Sequence, residues 1–186
     1  MDINEIKSMA KEKMEKSISV LREDLSTVRT GRATPNLLEK VTVDYYGTPT
    51  PVTQVASVTV PEPRMIVISP WEKTLVNDIC KAIMKSDLGL NPNSDGVVIR
   101  LNIPQLTEET RKDLVKVVHK KAEIARINVR NIRRDANEQV KKLEKSKDIT
   151  EDDTKATTEE IQKITDKYIK TVDEVVNAKE QEVMAI

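Results

Sequence analysis

All four glycines and all eight prolines of the chain lie between Gly31 and Pro104, so neither end contains a residue that interrupts a helix. Glycine and proline are the residues that most strongly disfavour a helix interior. The stretch after Pro104 is longer than an ordinary globular helix, which is typical of a helical bundle related to coiled coils. Any sheet must therefore be built from the middle of the chain.

Three helices are predicted outside that middle segment. Apolar residues recur every three or four positions through residues 2–29, with charged residues between them, which predicts an amphipathic helix. After Pro104, Thr107 is a predicted N-cap for a helix over residues 107–146. Thr150, followed by three acidic residues, is a predicted N-cap for a third helix over about 151–184.

The middle segment, residues 36–105, has strand and turn composition instead. Strands are predicted at four β-branched runs bounded by Gly, Pro or Asn, namely "VTVDYYG", "VASVTV", "RMIVIS" and "GVVIRLNIP". The run "WEKTLVNDICKAIMKSDLG" predicts one helix that ends near Gly89. The predicted fold is α+β, with a three-helix bundle (residues 1–30 plus 106–186) and an inserted small α/β domain of β/α/β type (31–105), joined by a two-strand hinge.

Charge is distributed unevenly although the formal net charge is zero. Residues 106–147 carry 13 basic and 7 acidic residues, and residues 148–186 carry 5 basic and 11 acidic residues. The densest basic stretch, "RINVRNIRRDAN" at 126–137, contains four arginines and a single acid, Asp135. A basic helix packed beside an acidic one and a basic face presented to an anionic partner both account for this pattern.

Helical geometry places the arginines of this stretch on one side of the predicted second helix. At about 100° per residue, Arg130 lies about 40° and Arg133 about −20° from Arg126, whereas the apolar positions lie at about 240–320°. Lys112 and His119 fall on the same stripe. The arginines therefore form a continuous stripe beside the predicted apolar seam.

Arginine stripes of this kind favour RNA backbone binding, because the planar guanidinium can hold two phosphate oxygens. One alternative is ion pairing with the acidic third helix. Another is a calmodulin-like or membrane-surface interaction, but this helix has no aromatic anchors.

Residues typical of an enzyme are scarce. The single histidine, His119, lies among lysines, and the sequence contains no GxxxxGK, CxxC or HExxH motif. The single cysteine, Cys80, excludes an internal disulfide and is predicted to be a small buried apolar residue.

No apolar stretch approaches the length that spans a bilayer, and residues 1–10 lack a signal-peptide core, so an intracellular protein is expected. A coiled-coil scaffold with a globular insert, or a hydrolase without known motifs, remains an alternative.

Five stretches in order along the chain resemble the ribosome recycling factor family. They are "RTGRATPNLL" at 29–38, "VDYYGTPTPVTQVASV" at 43–58, "SDLGLNPNSDG" at 86–96, "LTEETRKDL" at 106–114 and "VRNIRRDAN" at 129–137. The resemblance implies an L-shaped molecule with the outline of transfer RNA. It implies a monomeric cytoplasmic translation factor that binds the post-termination ribosome, mainly large-subunit rRNA, and splits the subunits with elongation factor G. It implies no catalytic residue, metal or cofactor, since the partner factor hydrolyses the GTP.

The resemblance also implies roles for individual residues of the second helix. Arg111, Arg130 and Arg133 match bundle arginines of the family at the rRNA contact, and Arg133 is the one most closely tied to activity. Arg126 and Lys112 join this predicted rRNA-binding set.

A hinge is predicted where the inserted domain meets the bundle. Arg29 and Arg32 match the arginines that flank the family's hinge glycine, Gly31. Pro35 on the same crossing and Pro104 on the returning one complete the predicted hinge.

Overall fold

The computed structural model describes residues 1–185, so Ile186, the last residue of the predicted bundle, lies outside the described residues. The chain divides into two compact units, one made of Met1–Val28 and Arg111–Ala185 and the other of Arg29–Thr110. Residues 1–185 form the α-helices α1 (Ile3–Ser26), α2 (Val52–Val55), α3 (Val76–Lys85), α4 (Glu108–Lys145) and α5 (Glu151–Met184). None of these helices is both long and apolar enough to cross a membrane.

The first unit is built from α1, α5 and all but the first turn of α4, and side-chain caps fix where each helix begins. The backbone N–H of Glu5 donates to Asp2 Oδ1 at 2.8 Å, and that of Thr110 donates to Thr107 Oγ1 at 3.1 Å. The predicted N-cap Thr150 accepts from the N–H of Asp153 at 3.1 Å. These bonds satisfy backbone donors that have no partner within their own helix.

Aliphatic side chains without aromatic rings form most of the core of this unit, as the composition requires. The buried apolar residues of α4 are Val118, Ala122, Ala125, Val129, Ala136 and Val140. The first four pack with α1 residues such as Met14 and α5 residues such as Val172, and the last two pack with Ile6, Ala10 and Ile161. With the partly buried Ile132, these positions recur every three or four residues, which confirms the predicted seam.

The second unit contains two antiparallel sheets. Its strands are β1 (Thr42–Tyr45), β2 (Thr48–Pro51), β3 (Ala56–Glu62), β4 (Met65–Pro70), β5 (Pro92–Ser94) and β6 (Ile99–Asn102). β1 pairs with β2, and the larger sheet has the order β3-β4-β6-β5. α3 buries Val76, Ile79 and Ile83 in the core that these sheets share.

Three local predictions for this unit were wrong. β2 and β5 were missed because both contain proline, which is tolerated in edge strands; each pairs with only one neighbour. The predicted helix at residues 71–89 begins as a 3₁₀ turn at Lys73–Leu75 and is regular only in α3. The strand predicted to start at Val55 begins at Ala56, because α2 occupies Val52–Val55.

Cys80 lies partly buried on α3 and packs against the core of the second unit. Burial raises the pKa of its thiol above the usual value. A raised pKa lowers the thiolate fraction, so this position has the character of a small apolar side chain.

Candidate RNA-binding face

The arginine face, defined as Arg126, Arg130 and Arg133 on α4, lies along the side of α4 that borders α5. The interhelical contacts are His119 with Glu180 at 3.2 Å, Arg126 with Asp173 and Arg133 with Gln162. The α5 partner moves toward lower numbers as the α4 residue moves toward higher ones, so the two helices are antiparallel. The arginine stripe predicted beside the apolar seam therefore lies where α4 and α5 meet.

Arg126 is held by carboxylates of its own unit. Its Nη2 donates to Asp173 Oδ1 at 2.7 Å and its Nε to the same oxygen at 3.2 Å. Its Nη1 lies 3.3 Å from Glu123 Oε2. The bonds to Asp173 raise the pKa of Arg126 above its usual value. Arg126 thus forms an ion pair with the acidic third helix, which was one of the two interpretations of the charge pattern.

Arg130 is only loosely compensated. Its Nη1 lies 3.5 Å from Glu123 Oε1, and half of its side chain is exposed. Glu123 is shared with Arg126, so one carboxylate serves two guanidinium groups. An exposed pair at this distance contributes little to stability, and its cation remains available to another anion.

Arg133 differs from both because its partner is neutral. Its Nη1 donates to Gln162 Oε1 at 2.9 Å, and Gln162 Nε2 donates in turn to Asp166 Oδ1 at 2.8 Å. Within residues 1–185, no carboxylate forms a salt bridge with Arg133. The guanidinium is positioned by a side-chain amide while its positive charge stays uncompensated.

The remaining predicted rRNA-binding residues lie toward the beginning of α4. Arg111 is half-buried and Lys112 is exposed. Arg111 is the first α4 residue of the bundle unit. Arg134, in the same arginine-rich stretch, is exposed.

The α5 side chains that decide this pattern were missed by sequence reasoning. Asp173 and Gln162 are eleven residues apart, about three helical turns, and each meets a different arginine. The acidic composition of α5 was visible, but composition does not say which arginine meets a carboxylate and which an amide.

The predicted hinge residues on the first crossing all belong to the second unit. Gly31 has φ +72, where an added Cβ would lie 3.4 Å from Leu106 Cγ. Arg29 Nη2 donates to the carbonyl oxygen of Leu88 and, at 3.2 Å, to that of Asp87. Pro35 opens a 3₁₀ turn at Pro35–Leu38.

Arg32 is exposed on this crossing, and Pro104 is exposed on the returning one. Ile103, beside Pro104, donates its N–H to Arg64 O at 2.8 Å. The boundary between the units falls after Thr110, inside α4, and not at residues 102–105 where the returning crossing was predicted.

No cluster of potential metal ligands occurs among residues 1–185. Within the arginine face, Arg133 and Arg130 are the least compensated charges. Chemically this face can bind anionic oxygen atoms through charge-assisted hydrogen bonds.

Comparison with known sequences gives one family over nearly the whole chain. The model of the family "Ribosome recycling factor" matches residues 21–184. The ribosome-recycling factor of Bacillus subtilis (strain 168) is 57% identical over 182 residues, covering 98% of each chain. That of Syntrophomonas wolfei subsp. wolfei is 58% identical over 184 residues, covering 99% of this chain and 100% of the relative.

Solved structures agree with the α+β fold. The chain matches a structure described as "Solution structure of the ribosome recycling factor" with a TM-score of 0.82 and 40% identity, over 100% of this chain and 99% of the other. A second match, described as models for the T. thermophilus ribosome recycling factor and the E. coli elongation factor G bound to the E. coli post-termination complex, has a TM-score of 0.68, 46% identity and full coverage of both chains. The predicted α+β fold is confirmed, and the chain belongs to the ribosome recycling factor family.

Proposed function

We propose that this chain is a translation factor that binds the post-termination ribosome, splits its subunits together with elongation factor G, and so frees the ribosome from mRNA for a new round of synthesis. The observation that carries the proposal is the family match across residues 21–184. It is supported by the relative whose description places a ribosome recycling factor on the post-termination complex with elongation factor G. Like its family, the chain acts as a translation factor and not as an enzyme by itself.

Its rRNA-binding site is proposed to comprise Arg133, Arg130, Arg111 and Lys112. Arg133 leads this set because its guanidinium is oriented by Gln162 but not neutralised. Phosphate contacts made by arginine position a protein on RNA without reading base sequence. Large-subunit rRNA is the proposed ligand of this face.

Arg126 has a different proposed role from the one that the stripe alone indicated. Its bond to Asp173 links α4 to α5, its bond to Glu123 lies within α4, and together they hold the part of α4 from which Arg130 and Arg133 project. An incoming phosphate would have to displace a carboxylate at 2.7 Å. Arg126 therefore supports the rRNA-binding set instead of belonging to it.

The second unit is proposed to be the part that moves during splitting. Gly31 at φ +72 gives the first crossing a conformation that favours glycine, and Pro35 and Pro104 restrict neighbouring backbone. Arg29 and Arg32 complete this proposed hinge. GTP is proposed to be hydrolysed by elongation factor G, so this chain needs no cofactor. It is proposed to act in the cytoplasm as a monomer.

A reconstituted splitting reaction tests the proposal. Post-termination ribosomes are mixed with the chain, elongation factor G and GTP, and subunit separation is followed by light scattering and by sedimentation. We expect splitting only when both factors and GTP are present. Intact ribosomes under all conditions would contradict the proposal and would favour the scaffold alternative, whereas GTP hydrolysis by the chain alone would favour an enzyme.

A further inference from the structure

Three of the four aromatic residues of the chain lie together in the unit formed by residues 29–110. The chain has three tyrosines, one tryptophan and no phenylalanine, and the fourth aromatic, Tyr168, is buried on α5. The aromatic pocket, defined as Tyr45, Trp71 and Glu72, borders a cavity of about 270 Å³, and Tyr46 lies beside it in contact with Tyr45 and Glu72. Trp71 is 70% exposed and Tyr46 is 83% exposed. Large aromatic surfaces left in water point to a binding role.

The backbone of Tyr46 supports this interpretation. Tyr45 pairs with Thr48, so Tyr46 and Gly47 form a two-residue hairpin turn, with φ values of 50 and 84. Such turns favour asparagine, aspartate or glycine at their first position, and a bulky side chain there is unusual. Folding of the hairpin alone does not explain a tyrosine at this position.

Glu72 gives the pocket its charge. Its Oε1 accepts a hydrogen bond from the Tyr45 hydroxyl at 3.1 Å, and its Oε2 has a longer contact of 3.4 Å with the Tyr46 hydroxyl. The two tyrosine rings meet edge to face, with centroids 4.7 Å apart. Within residues 1–185 no basic side chain forms a salt bridge with Glu72. The carboxylate is therefore oriented by neutral groups and lacks a cation.

The lining of the cavity selects the charge of its ligand. Besides Tyr45, Trp71 and Glu72, the cavity is lined by Thr50, Gln54, Val55 and Leu75. None of these residues is basic, so phosphates and other anions would meet a carboxylate without a compensating cation. Cations are attracted by the faces of tryptophan and tyrosine rings, and a guanidinium forms strong hydrogen bonds with a carboxylate.

We propose that the aromatic pocket binds an arginine side chain from a basic segment of a partner protein. The guanidinium stacks against Trp71 and donates to Glu72, and the methylene groups of the arginine cover the apolar wall of the cavity. All residues involved lie within residues 29–110, so this proposal stands or falls independently of the rRNA-binding face.

The test uses Trp71 as a reporter, because it is the only tryptophan of the chain. The full ¹⁵N-labelled chain is titrated with a capped Gly-Arg-Gly peptide while the indole N–H resonance is followed. The matched probe is the same peptide with citrulline, which has the shape of arginine without its charge. We expect a saturable shift with the arginine peptide and an affinity about tenfold lower for the citrulline peptide, as loss of a cation–π contact and an ion pair implies.

Two variants complete the test. Glu72→Gln keeps an acceptor for the tyrosine hydroxyls but removes the charge, and it should weaken arginine binding by a similar factor. Glu62→Gln, a matched change at an exposed position on β3, should bind as the unchanged chain does. If Glu72→Gln fails to fold, the comparison of the arginine and citrulline peptides on the unchanged chain still tests the proposal.

Equal shifts with both peptides, or no saturable shift with the arginine peptide, would overturn the proposal. A saturable shift with only adenosine monophosphate or only a proline-rich peptide would assign the pocket to those ligands.

Discussion

Arg133 Nη1 donates a 2.9 Å hydrogen bond to the amide oxygen of Gln162, an acceptor without charge. Two helical turns earlier on α4, Arg126 makes the corresponding contact with the carboxylate of Asp173 at 2.7 Å. Similar side chains on the same border between α4 and α5 are therefore neutralised at one position and left cationic at the other. This difference separates the roles proposed for the two arginines and makes them testable as a pair.

Replacing each arginine by alanine should give opposite results. Arg133→Ala should change the free energy of unfolding by no more than about 0.5 kcal/mol but weaken ribosome binding by about 2–5 kcal/mol. Arg126→Ala should lower the free energy of unfolding by about 1 kcal/mol with a small effect on binding. Denaturant unfolding and ribosome affinity are measured on both variants. If Arg133→Ala is the less stable variant and its folded fraction binds normally, Arg133 belongs to the internal pairing.

Gln162→Glu should weaken ribosome binding without removing any arginine. The change places a carboxylate where Arg133 now meets an amide 2.9 Å away, so the guanidinium would be neutralised as Arg126 is. The change also removes the 2.8 Å bond from Gln162 Nε2 to Asp166 and places two carboxylates one helical turn apart. This loss opposes the gain from the new ion pair, so the free energy of unfolding should change by less than about 0.5 kcal/mol. Gln181→Glu, at an exposed glutamine on the same helix, is the matched control for added charge. Equal loss of affinity in both variants would mean that total charge, and not Arg133, controls binding.

Features of this fold that depend on residues close together in the sequence were predictable. Features that depend on contacts between distant residues were not. The bundle helices were predictable because spacing and caps such as Thr150 are local signals, and Thr150 does accept from Asp153 N–H. β2 and β5 were missed because their pairing partners, and not their proline-containing sequences, define them as strands. The arginine stripe followed from helical periodicity, whereas the contrast between Asp173 and Gln162 arises from the alignment of α4 with α5. The resemblance to the family assigned roles to individual residues. Only the contacts between α4 and α5 distinguish the proposed role of Arg126 from that of Arg133.

Asp153 should make stability depend on pH at the start of α5. Hydrogen bonds from the backbone N–H and hydroxyl of Thr150 lower the pKa of the Asp153 carboxyl below its usual value. A carboxyl with a lowered pKa in the folded state stabilises the fold above its unfolded pKa, about 3.9. That contribution is lost as the pH falls through the folded pKa.

Asp153→Asn should therefore melt at a lower temperature than the unchanged chain near neutral pH, and the two curves should converge in acid. Asp152→Asn, at the neighbouring exposed position, is the control for general loss of charge. Thermal melting of all three proteins across an acid pH series measures the effect. A difference for Asp153→Asn that stays constant down to low pH would show that the bonds with Thr150 are not its source.

Ribosome binding should weaken steeply with added salt. Each phosphate contact releases condensed counterions, with a slope of about 0.7 per contact for single strands. The four proposed contacts, Arg111, Lys112, Arg130 and Arg133, would give a slope of about 3 on that basis. Affinity across a monovalent salt series gives the slope directly. Arg133→Ala should reduce the slope by about one contact, whereas a flat dependence in the unchanged chain would contradict phosphate binding.

Gly31→Ala should impair subunit splitting more than its effect on stability explains. At φ +72 an alanine is strained, and its Cβ would also lie 3.4 Å from Leu106 Cγ, so the free energy of unfolding should fall by about 1–2 kcal/mol. Gly47→Ala is the matched control, because Gly47 has φ +84 and no atom within 4 Å of an added Cβ. Both variants carry comparable backbone strain, but only Gly31 lies on the crossing proposed to act as a hinge. With conditions chosen so that both proteins are fully folded, Gly31→Ala should bind ribosomes nearly normally and split them slowly, whereas Gly47→Ala should split them at the unchanged rate. Equal splitting rates for the two variants would show that the conformational freedom of Gly31 has no part in the reaction.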